Sequence, residues 1–310
     1  MRLVSAEQIE AAGDWRALVD ALGEAHRGQP AQVKDMLLRD GDNAWLSRAA
    51  WLPGGGDFGL KSMSVFPGNI NLAPPKPSIN GGMLLFDKTT GELAAVLEGA
   101  ALTIWKTVGD SALGAVRLAR EDVAELLVVG AGTIASRLPE AYLAIRPSIQ
   151  RVRVWNRTAE RATALAEDLA KTLPVPVEAA TDLSQAVAAA DIVACATMSA
   201  EPVIKGAWLK PGAHVDLIGA YRPDMREVDD DALRRGRLFV DSRDTTIGEI
   251  GELIIPMNNG VITEEDVLGD HYQLSAGALG RTSAQDITIF KNGGGAHLDL
   301  MTARFFLDRL

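Results

Sequence analysis

Cysteine is almost absent from this chain, and histidine is rare. Only Cys195 is a cysteine among 310 residues, so no internal disulfide is available. The four histidines, His26, His214, His271 and His297, are scattered along the sequence. This distribution predicts neither a metal site nor a catalytic triad. It favours a reducing compartment, and we expect the protein to be cytoplasmic.

Long apolar runs and positive charge are also scarce. The first 15 residues lack the apolar core of a signal peptide. The longest apolar stretches, such as 126–129 and 192–196, are far shorter than the roughly 20 residues that cross a bilayer. Lys and Arg number 31 against 41 Asp and Glu, a formal net charge of −10. We therefore expect neither a membrane nor a nucleic acid as a partner.

The remaining pattern predicts two domains. Residues 5–28 have helical periodicity, and residues 34–65 predict antiparallel strands, followed by a strand pair around a TTG turn. Further on, apolar strands alternate with helices in the rhythm of a parallel sheet. The segment ITIFKNGGGAHLDLMTARFFLDRL predicts a helix start and then a long apolar helix that returns to the first domain. The predicted fold class is α/β, with a doubly wound Rossmann sheet over 115–287 and an α+β domain formed by 1–114 and 288–310.

A glycine-rich turn follows the strand LLVV. The run GAGTIA at 130–135 has the form G-x-G-x-x-A. Gly130 permits the tight turn, Gly132 lets a pyrophosphate approach the backbone, and the small Ala135 lets the helix lie close to the strand. Thr133 and Ile134 open the helix whose N–H groups would face the phosphates. The motif predicts a dinucleotide site, and a glycine turn without a ligand is the alternative.

The end of the next strand indicates which dinucleotide is bound. An NAD site places a carboxylate there, whereas a 2′-phosphate requires cationic and hydroxyl groups. This strand ends in Asn156, Arg157 and Thr158, with Arg161 one turn later. The cofactor prediction is therefore NADPH, with NADH as a weaker second. The alternative for Arg157 is an ordinary solvated residue at a helix start.

Small residues end a later strand and predict a further part of the cofactor site. Ligands of open α/β folds bind at the carboxyl edge of the sheet. The predicted cofactor-binding residues at this edge are Ala196, Thr197, Met198, Ser199 and Gly219. Cys195 lies inside the apolar strand, and we expect it to pack in the core.

Two lysines interrupt apolar sequence in the first domain. Lys61 lies in the strand-like run GLKSMSVF, where a charge must find a partner. Lys106 lies between Trp105 and Thr107 near a predicted helix start, a place where cations and N–H groups meet an anion. An exposed strand residue and a surface lysine are the respective alternatives.

Several segments together resemble the ornithine cyclodeaminase/μ-crystallin family. They are GLKSMSVFPGN, LLFDKTTGELAAVLEGAALTIWKT, VVGAGTIA, VDLIGAYRPDMREVDDD and ITIFKNGGGAHLDL, in this order from about residue 30 onward. The resemblance implies a homodimer whose N-terminal domain, completed by the last helix, forms the subunit interface and the substrate pocket. A Rossmann domain would be inserted between these two parts.

Two differences from the family pattern guide the choice of reaction. Family lyases look like GGD-x-P-G-K where this chain has GAYRPDMRE, so Tyr221 replaces the aspartate that serves the side-chain amine of ornithine. This run is closer to the ketimine-reductase branch and favours a substrate with one nitrogen. Lys106 replaces an arginine that grips the substrate carboxylate, and it lacks the guanidinium fork. Arg48 is a candidate to restore a guanidinium, and a packing or surface role is an equal alternative.

The resemblance implies NAD(P)H-dependent reduction of a cyclic ketimine carboxylate. Examples are Δ1-pyrroline-2-carboxylate to L-proline and Δ1-piperideine-2-carboxylate to L-pipecolate. Lys61 and Lys106 are the predicted catalytic residues. Arg48, Lys61, Lys106 and Gly294 are the predicted substrate-binding residues, and Thr107 would help to bind the cofactor phosphates. The alternatives are an ornithine cyclodeaminase, an alanine or other amino-acid dehydrogenase, and a non-catalytic binding protein that retains an NADP site.

Overall fold

The computed structural model describes residues 1–278 and 280–310. It divides into two compact units, each treated separately below. Unit 1 comprises residues 1–106 and 295–310, and unit 2 comprises residues 107–294. The sequence predicts these divisions after residues 114 and 287 instead.

The described residues contain strands, α-helices and short 3₁₀ turns. The strands are β1 (Arg2–Val4), β2 (Gln32–Asp40), β3 (Asn43–Trp51), β4 (Phe58–Val65), β5 (Ile79–Phe86), β6 (Leu93–Glu98), β7 (Glu125–Val129), β8 (Arg151–Trp155), β9 (Val177–Ala179), β10 (Ile192–Cys195), β11 (His214–Leu217), β12 (Gly236–Val240), β13 (Val267–Gly269) and β14 (Ile287–Lys291). The helices are α1 (Ala6–Ala12), α2 (Trp15–Ala25), α3 (Gly99–Leu118), α4 (Thr133–Ile145), α5 (Ala159–Ala170), α6 (Leu183–Ala189), α7 (Asp230–Arg235), α8 (Arg243–Thr246), α9 (Gly251–Asn258), α10 (His271–Ser275) and α11 (Ala296–Arg309).

Unit 1 is a six-stranded sheet covered by helices. The strand order is β1-β6-β5-β4-β3-β2, and every pair is antiparallel except β1 with β6. The apolar stripe of α2, which includes Leu18 and Leu22, is fully buried, as the sequence period predicts. Helix α11 contacts α2 and the central strands, and it buries Leu298 and Phe306. The last helix is therefore part of the core of unit 1.

The helical pattern of residues 5–28 forms two helices rather than one. Ser5 caps α1 through a capping box with Gln8. The break falls at Gly13, where a Cβ atom would lie 2.1 Å from the Trp105 ring. Asp14 then caps α2 by accepting from the backbone N–H of Ala17 at 3.0 Å. A close approach of ring and backbone, which periodicity does not reveal, decides where the chain turns.

Unit 2 is an eight-stranded, wholly parallel sheet. Its order is β13-β12-β14-β11-β10-β7-β8-β9, with helices connecting the strands. Strands β10 and β11 are buried at every position, as expected for a parallel sheet covered on both faces. The predicted Rossmann sheet is confirmed. From β7 the chain adds β8 and β9 on one side and β10 onward on the other, so the carboxyl ends of β7 and β10 lie at the topological switch point.

The prediction of a helix start at ITIFK is wrong. These residues form β14, a central strand between β12 and β11, and all five are buried. A short apolar run fits a buried strand or a buried helix equally well by periodicity. Three of the five residues are β-branched and one is aromatic, a composition that is common in strands. The three glycines after it then separate β14 from α11.

The described residues contain neither a candidate membrane-spanning helix nor a candidate metal-binding cluster. None of the helices described is both long enough and apolar enough to cross a membrane. Within the same residues, no group of three or more His, Cys, Asp or Glu side chains is arranged to hold a metal ion.

Candidate active site

A buried cluster of charged side chains lies in unit 1. Lys61 comes from the inward face of β4, where Gly59, Lys61 and Met63 alternate with partly exposed residues. Lys106 comes from α3 and Asp299 from α11. Lys61 and Lys106 are each 4% exposed, and Asp299 is fully buried. Neither lysine is a surface residue, so both surface alternatives are wrong.

Direct contacts join the members of this cluster. The Nζ atom of Lys61 donates to Asp299 Oδ1 at 2.9 Å and to Thr103 Oγ1 at 2.6 Å. The Nζ atom of Lys106 lies 3.9 Å from Asp299 Oδ2. Burial alone would raise the pKa of Asp299, but the charges of Lys106, Lys61 and Arg48 outweigh it and lower that pKa. Asp299 is therefore a carboxylate held between lysines.

Lys106 does not lie near a helix start, contrary to the sequence prediction. Helix α3 begins at Gly99, so Lys106 is two turns inside it. The helix N-terminus is occupied by Glu98, whose carboxylate accepts from the N–H groups of Ala100 and Ala101 at 2.9 and 2.7 Å. Any anion binding by Lys106 must therefore use its side chain and not the helix end.

Arg48 belongs to the same region of unit 1. It lies directly opposite Lys61 in the β3–β4 ladder, and its charge acts on Asp299. Its guanidinium donates to Asp35 Oδ2 from Nη2 at 2.5 Å and from Nε at 3.2 Å. The Arg48 side chain is 19% exposed, so it is neither a free surface group nor a fully buried one. This region therefore holds five charged side chains. Three are cations and two are carboxylates: Arg48, Lys61, Lys106, Asp35 and Asp299.

In unit 2 the glycine loop has the shape that a pyrophosphate requires. Gly130 has φ +126°, and a Cβ atom there would lie 2.6 Å from the carbonyl oxygen of Ala196. Gly132 precedes the first residue of α4, and no side chain caps this helix end. A Cβ atom on Gly132 would meet nothing within 4 Å. Open space therefore faces the uncapped N–H groups beginning at Thr133 and Ile134, which fits a dinucleotide phosphate.

The end of β8 presents polar and cationic groups. Asn156 is half-buried and donates from Nδ2 to the carbonyl of Thr158 at 3.0 Å. Arg157, Thr158 and Arg161 are exposed. No carboxylate lies between residues 155 and 159, so this strand end lacks the group that binds a ribose 2′-hydroxyl in NAD sites.

A buried carboxylate that the sequence analysis missed ties the ends of β10 and β11 together. Glu227 is fully buried and accepts from the backbone N–H of Thr197 at 2.8 Å and its hydroxyl at 2.9 Å. The same side chain accepts from the N–H of Gly219 at 2.7 Å. A Cβ atom on Gly219 would lie 1.8 Å from the carbonyl of Thr197. Glycine is therefore required where the two strand ends meet.

The other residues predicted at this edge differ in exposure. Ala196 and Ser199 are half-buried, whereas Met198 is 77% exposed. Cys195 is fully buried, and burial raises the pKa of its thiol well above the usual value. This environment keeps Cys195 protonated and confirms its expected place in the core.

Asp241 organises the glycines before α11, and the sequence analysis missed it as well. Gly294 has φ +72° and donates its N–H to Asp241 Oδ2 at 2.7 Å. The hydroxyl of Thr246 donates to Asp241 Oδ1 at 2.5 Å. On the same unit, the carbonyl of Thr107 accepts from Asn292 Nδ2 at 2.9 Å. Buried side chains thus fix the backbone at both Thr107 and Gly294.

A parallel sheet with an open glycine loop defines the class of dinucleotide-binding α/β proteins. The chain belongs to the ornithine cyclodeaminase/mu-crystallin family, whose family model matches residues 50–310. This match confirms the resemblance predicted from the sequence motifs.

Three known proteins illustrate the similarity. The Delta(1)-pyrroline-2-carboxylate reductase of Paracoccus denitrificans is 49% identical over 311 residues, covering 98% of this chain and 97% of that protein. The structure of the Thermococcus litoralis enzyme of the same name, in complex with NADH and L-proline, has a TM-score of 0.91 at 28% identity, covering 100% of this chain and 97% of that one. An archaeal alanine dehydrogenase dimer with bound NAD has a TM-score of 0.90 at 25% identity, covering 100% and 95%.

Proposed function

We propose that this protein is a Δ1-pyrroline-2-carboxylate reductase, an NAD(P)H-dependent oxidoreductase that forms L-proline from the cyclic imine. The observation that carries this proposal is the 49% identity, over almost the whole of both chains, to the Paracoccus enzyme of that name. The buried lysine cluster of unit 1 supplies the charges that an imino acid with one carboxylate requires. The six-membered homologue, which would give L-pipecolate, carries the same two functional groups.

The substrate groups come from unit 1 in this proposal. Lys106 and Arg48 attract the substrate carboxylate, because cations exceed carboxylates among the five side chains of that region. Lys61 lies opposite Arg48 on the neighbouring strand, and it binds the imine nitrogen. Gly294, in unit 2, stays a predicted substrate-binding residue: its backbone N–H donates to Asp241, and without a side chain it would allow a ligand to come close.

The chemistry divides between the dinucleotide and the lysine. A reduced nicotinamide dinucleotide, held at the glycine loop, would supply the hydride for the new C–H bond at the imine carbon. The electron pair of the C=N π bond moves onto nitrogen, which takes a proton from the Lys61 ammonium. Water then returns a proton to Lys61. Buried and fixed by two hydrogen bonds, the lysine is held in place before substrate binds.

The proposed dinucleotide is NADPH, with NADH as a weaker alternative. The groups proposed to hold its phosphates and ribose are Gly130, Gly132, Thr133, Ile134, Thr107, Asn156, Arg157, Thr158, Arg161, Ala196, Thr197, Met198, Ser199 and Gly219. Support for the 2′-phosphate comes from the exposed Arg157 and Thr158 at the end of β8 and from the lack of a carboxylate beside them. A guanidinium binds phosphate with paired N–H groups.

We also propose a cytosolic homodimer joined through unit 1. The edge strand β2 exposes Met36, Leu37 and Leu38 by 44 to 51%. Trp45, on the adjacent β3, is 47% exposed. An exposed apolar edge of this kind favours association, and the structurally similar alanine dehydrogenase is a dimer.

The decisive experiment compares two reactions of the purified protein. NADPH consumption and chiral product analysis are measured with Δ1-pyrroline-2-carboxylate, beside ornithine and NAD assayed for proline and ammonia. We expect L-proline from the imine and no ammonia from ornithine, because Tyr221 replaces the carboxylate expected of a lyase. Ammonia and proline from ornithine would instead establish the lyase. NADH formation from L-alanine, in a third reaction, would indicate an amino-acid dehydrogenase.

A further inference from the structure

The hydrogen bonds around Thr103 fix the direction in which Lys61 donates. The Thr103 hydroxyl donates its single proton to the carbonyl of Gly99, one turn earlier on α3, at 2.6 Å. It can therefore only accept from Lys61 Nζ, which lies 2.6 Å away. The acceptor for one N–H of the lysine is thus held by the helix backbone.

Asp299 fixes a second direction. Its Oδ1 atom accepts from Lys61 Nζ at 2.9 Å, and its side chain is 1% exposed on a helix within the core of unit 1. A carboxylate buried to this degree cannot turn toward water without losing its contacts with both lysines.

An ammonium has three N–H donors, and two of those of Lys61 are occupied in this way. We propose that Thr103 and Asp299 are positioning residues of the reduction, which direct the third N–H of Lys61 to the imine nitrogen. This inference rests on the proposed function, because it assigns a purpose to the orientation of the proton donor. Both residues act through Lys61, and neither contacts the substrate.

Thr103 and Asp299 differ in how they orient Lys61. Thr103 sets only the direction of donation, because its hydroxyl carries no charge. Asp299 sets direction and charge together, and it also lies 3.9 Å from Lys106. Substitution of Thr103 therefore isolates proton delivery, whereas substitution of Asp299 also disturbs the groups that bind the substrate carboxylate.

The test uses steady-state kinetics of the full-length protein with NADPH and Δ1-pyrroline-2-carboxylate. Thr103→Val keeps the shape and removes the hydroxyl. We expect kcat to fall about 10- to 100-fold, with KM for the imine changed less than about 3-fold, since misdirected proton transfer affects the reaction step and not carboxylate binding. The solvent deuterium isotope effect on kcat should increase. Thr103→Ser restores the hydroxyl and should recover kcat to within about 3-fold of the wild type.

Thr163→Val is the matched control. Thr163 makes the same hydroxyl bond to a carbonyl four residues earlier, at 3.1 Å, but on the exposed face of α5. Its kinetics should equal those of the wild type. Asp299→Asn should lower kcat at least as much as Thr103→Val and should also raise KM for the imine.

The possible failures are distinguishable. If the wild-type protein reduces no cyclic ketimine, the proposed function is wrong. If the wild type reduces the imine but Thr103→Val retains its kcat and isotope effect, only the positioning role is overturned. A Thr103→Ser variant as impaired as Thr103→Val would also overturn it, because the hydroxyl would then have no specific effect.

Discussion

The two units hold their functional groups in opposite ways. In unit 1, Lys61 and Lys106 are buried, and each forms an ion pair with the buried Asp299. In unit 2, the glycine loop offers backbone N–H groups to open space, and Arg157 is exposed. Removal of one buried charge leaves its partner as an unpaired charge in the core. Removal of an exposed side chain, or obstruction of a backbone N–H group, creates no unpaired buried charge. Activity and stability should therefore be coupled in unit 1 and separable in unit 2.

The largest expected effect tests the coupling in unit 1. Lys61→Met should reduce kcat by about 10³-fold or more, because it removes the proton donor. It should also lower the melting temperature, since Asp299 loses its closest cation, a type of loss that costs about 3 to 5 kcal/mol. NADPH binding, measured by fluorescence titration, should be retained.

The control for this variant is Lys88→Met, which makes the same change at an exposed residue between β5 and β6. It should leave kcat and melting temperature as in the wild type. A Lys61→Met protein that loses NADPH affinity would point to a structural lysine rather than a proton donor.

The next effect tests separability in unit 2. Gly132→Val places a side chain where nothing lies within 4 Å, so the melting temperature should change by less than about 2 °C, as for surface substitutions. The same side chain would fill the space proposed for the pyrophosphate. We expect the dissociation constant for NADPH to rise about 30-fold or more, equivalent to about 2 kcal/mol.

Gly28→Val is the matched control, because Gly28 is exposed and a Cβ atom there makes only an ordinary contact at 3.5 Å with the carbonyl of Ala25. Unchanged NADPH binding by Gly132→Val would show that the phosphates do not lie at this loop.

A smaller effect concerns the choice between the two dinucleotides. Arg157→Ala should raise KM for NADPH by about 10- to 100-fold, the value of one hydrogen bond between charged groups. KM for NADH should change by less than about 3-fold, since NADH lacks the 2′-phosphate. Lys171→Ala, which removes an exposed cation just after α5, should alter neither value. Equal effects of Arg157→Ala on both cofactors would refute the assigned role.

The last effect concerns stability and not activity, and it sharpens the comparison because unit 2 also contains a buried carboxyl group. Burial raises the pKa of Asp216 to about 7, although hydrogen bonds from Tyr142 and Ser111 and the charge of Lys291 oppose this shift. The unfolded chain releases this proton near the ordinary value of 3.8. Stability from this group is therefore complete below that value and is lost as the pH rises toward 7, by up to about 1.4 kcal/mol per pH unit.

Urea unfolding of the wild type and Asp216→Asn at about pH 5 and about pH 7 measures this contribution. The wild type should lose more unfolding free energy than Asp216→Asn over this interval. Glu252, whose pKa burial also raises to about 7, is present in both proteins and cancels in the difference. Equal losses would exclude the titration of Asp216.

The features that can be predicted well from the sequence are those determined by residues adjacent to one another in the sequence. The glycine loop is six consecutive residues after a strand, and its turn, its helix start and its close contact with Ala196, just after β10, follow from residue size alone. At ITIFK the sequence pattern does not decide, because a short run of this kind fits either a helix or a central strand. Only the pairing of β14 with β11 and β12 decides between them.

The charged cluster of unit 1 could be predicted only in part. A lysine inside an apolar strand indicates that Lys61 must have a partner, but its partners lie 42 and 238 residues away in sequence. Asp299 lies in a run, AHLDLMTARFF, that otherwise predicts only a helix. Glu227 lies in the run REVDDD, where nothing in the sequence distinguishes it from the other acidic residues. Contacts between distant elements, and not the residues themselves, give these carboxylates their roles.

The contribution of α11 to unit 1 has a consequence for synthesis on the ribosome. Residues 107–294 are made, and can fold as a unit, before Asp299 is available to Lys61. Asp299 is 238 residues after Lys61, a distance that takes roughly 10 to 50 seconds to translate at about 5 to 20 residues per second. During that interval the nascent chain carries a lysine without its carboxylate and an apolar sheet without its covering helix. Such an intermediate is a natural client for a chaperone.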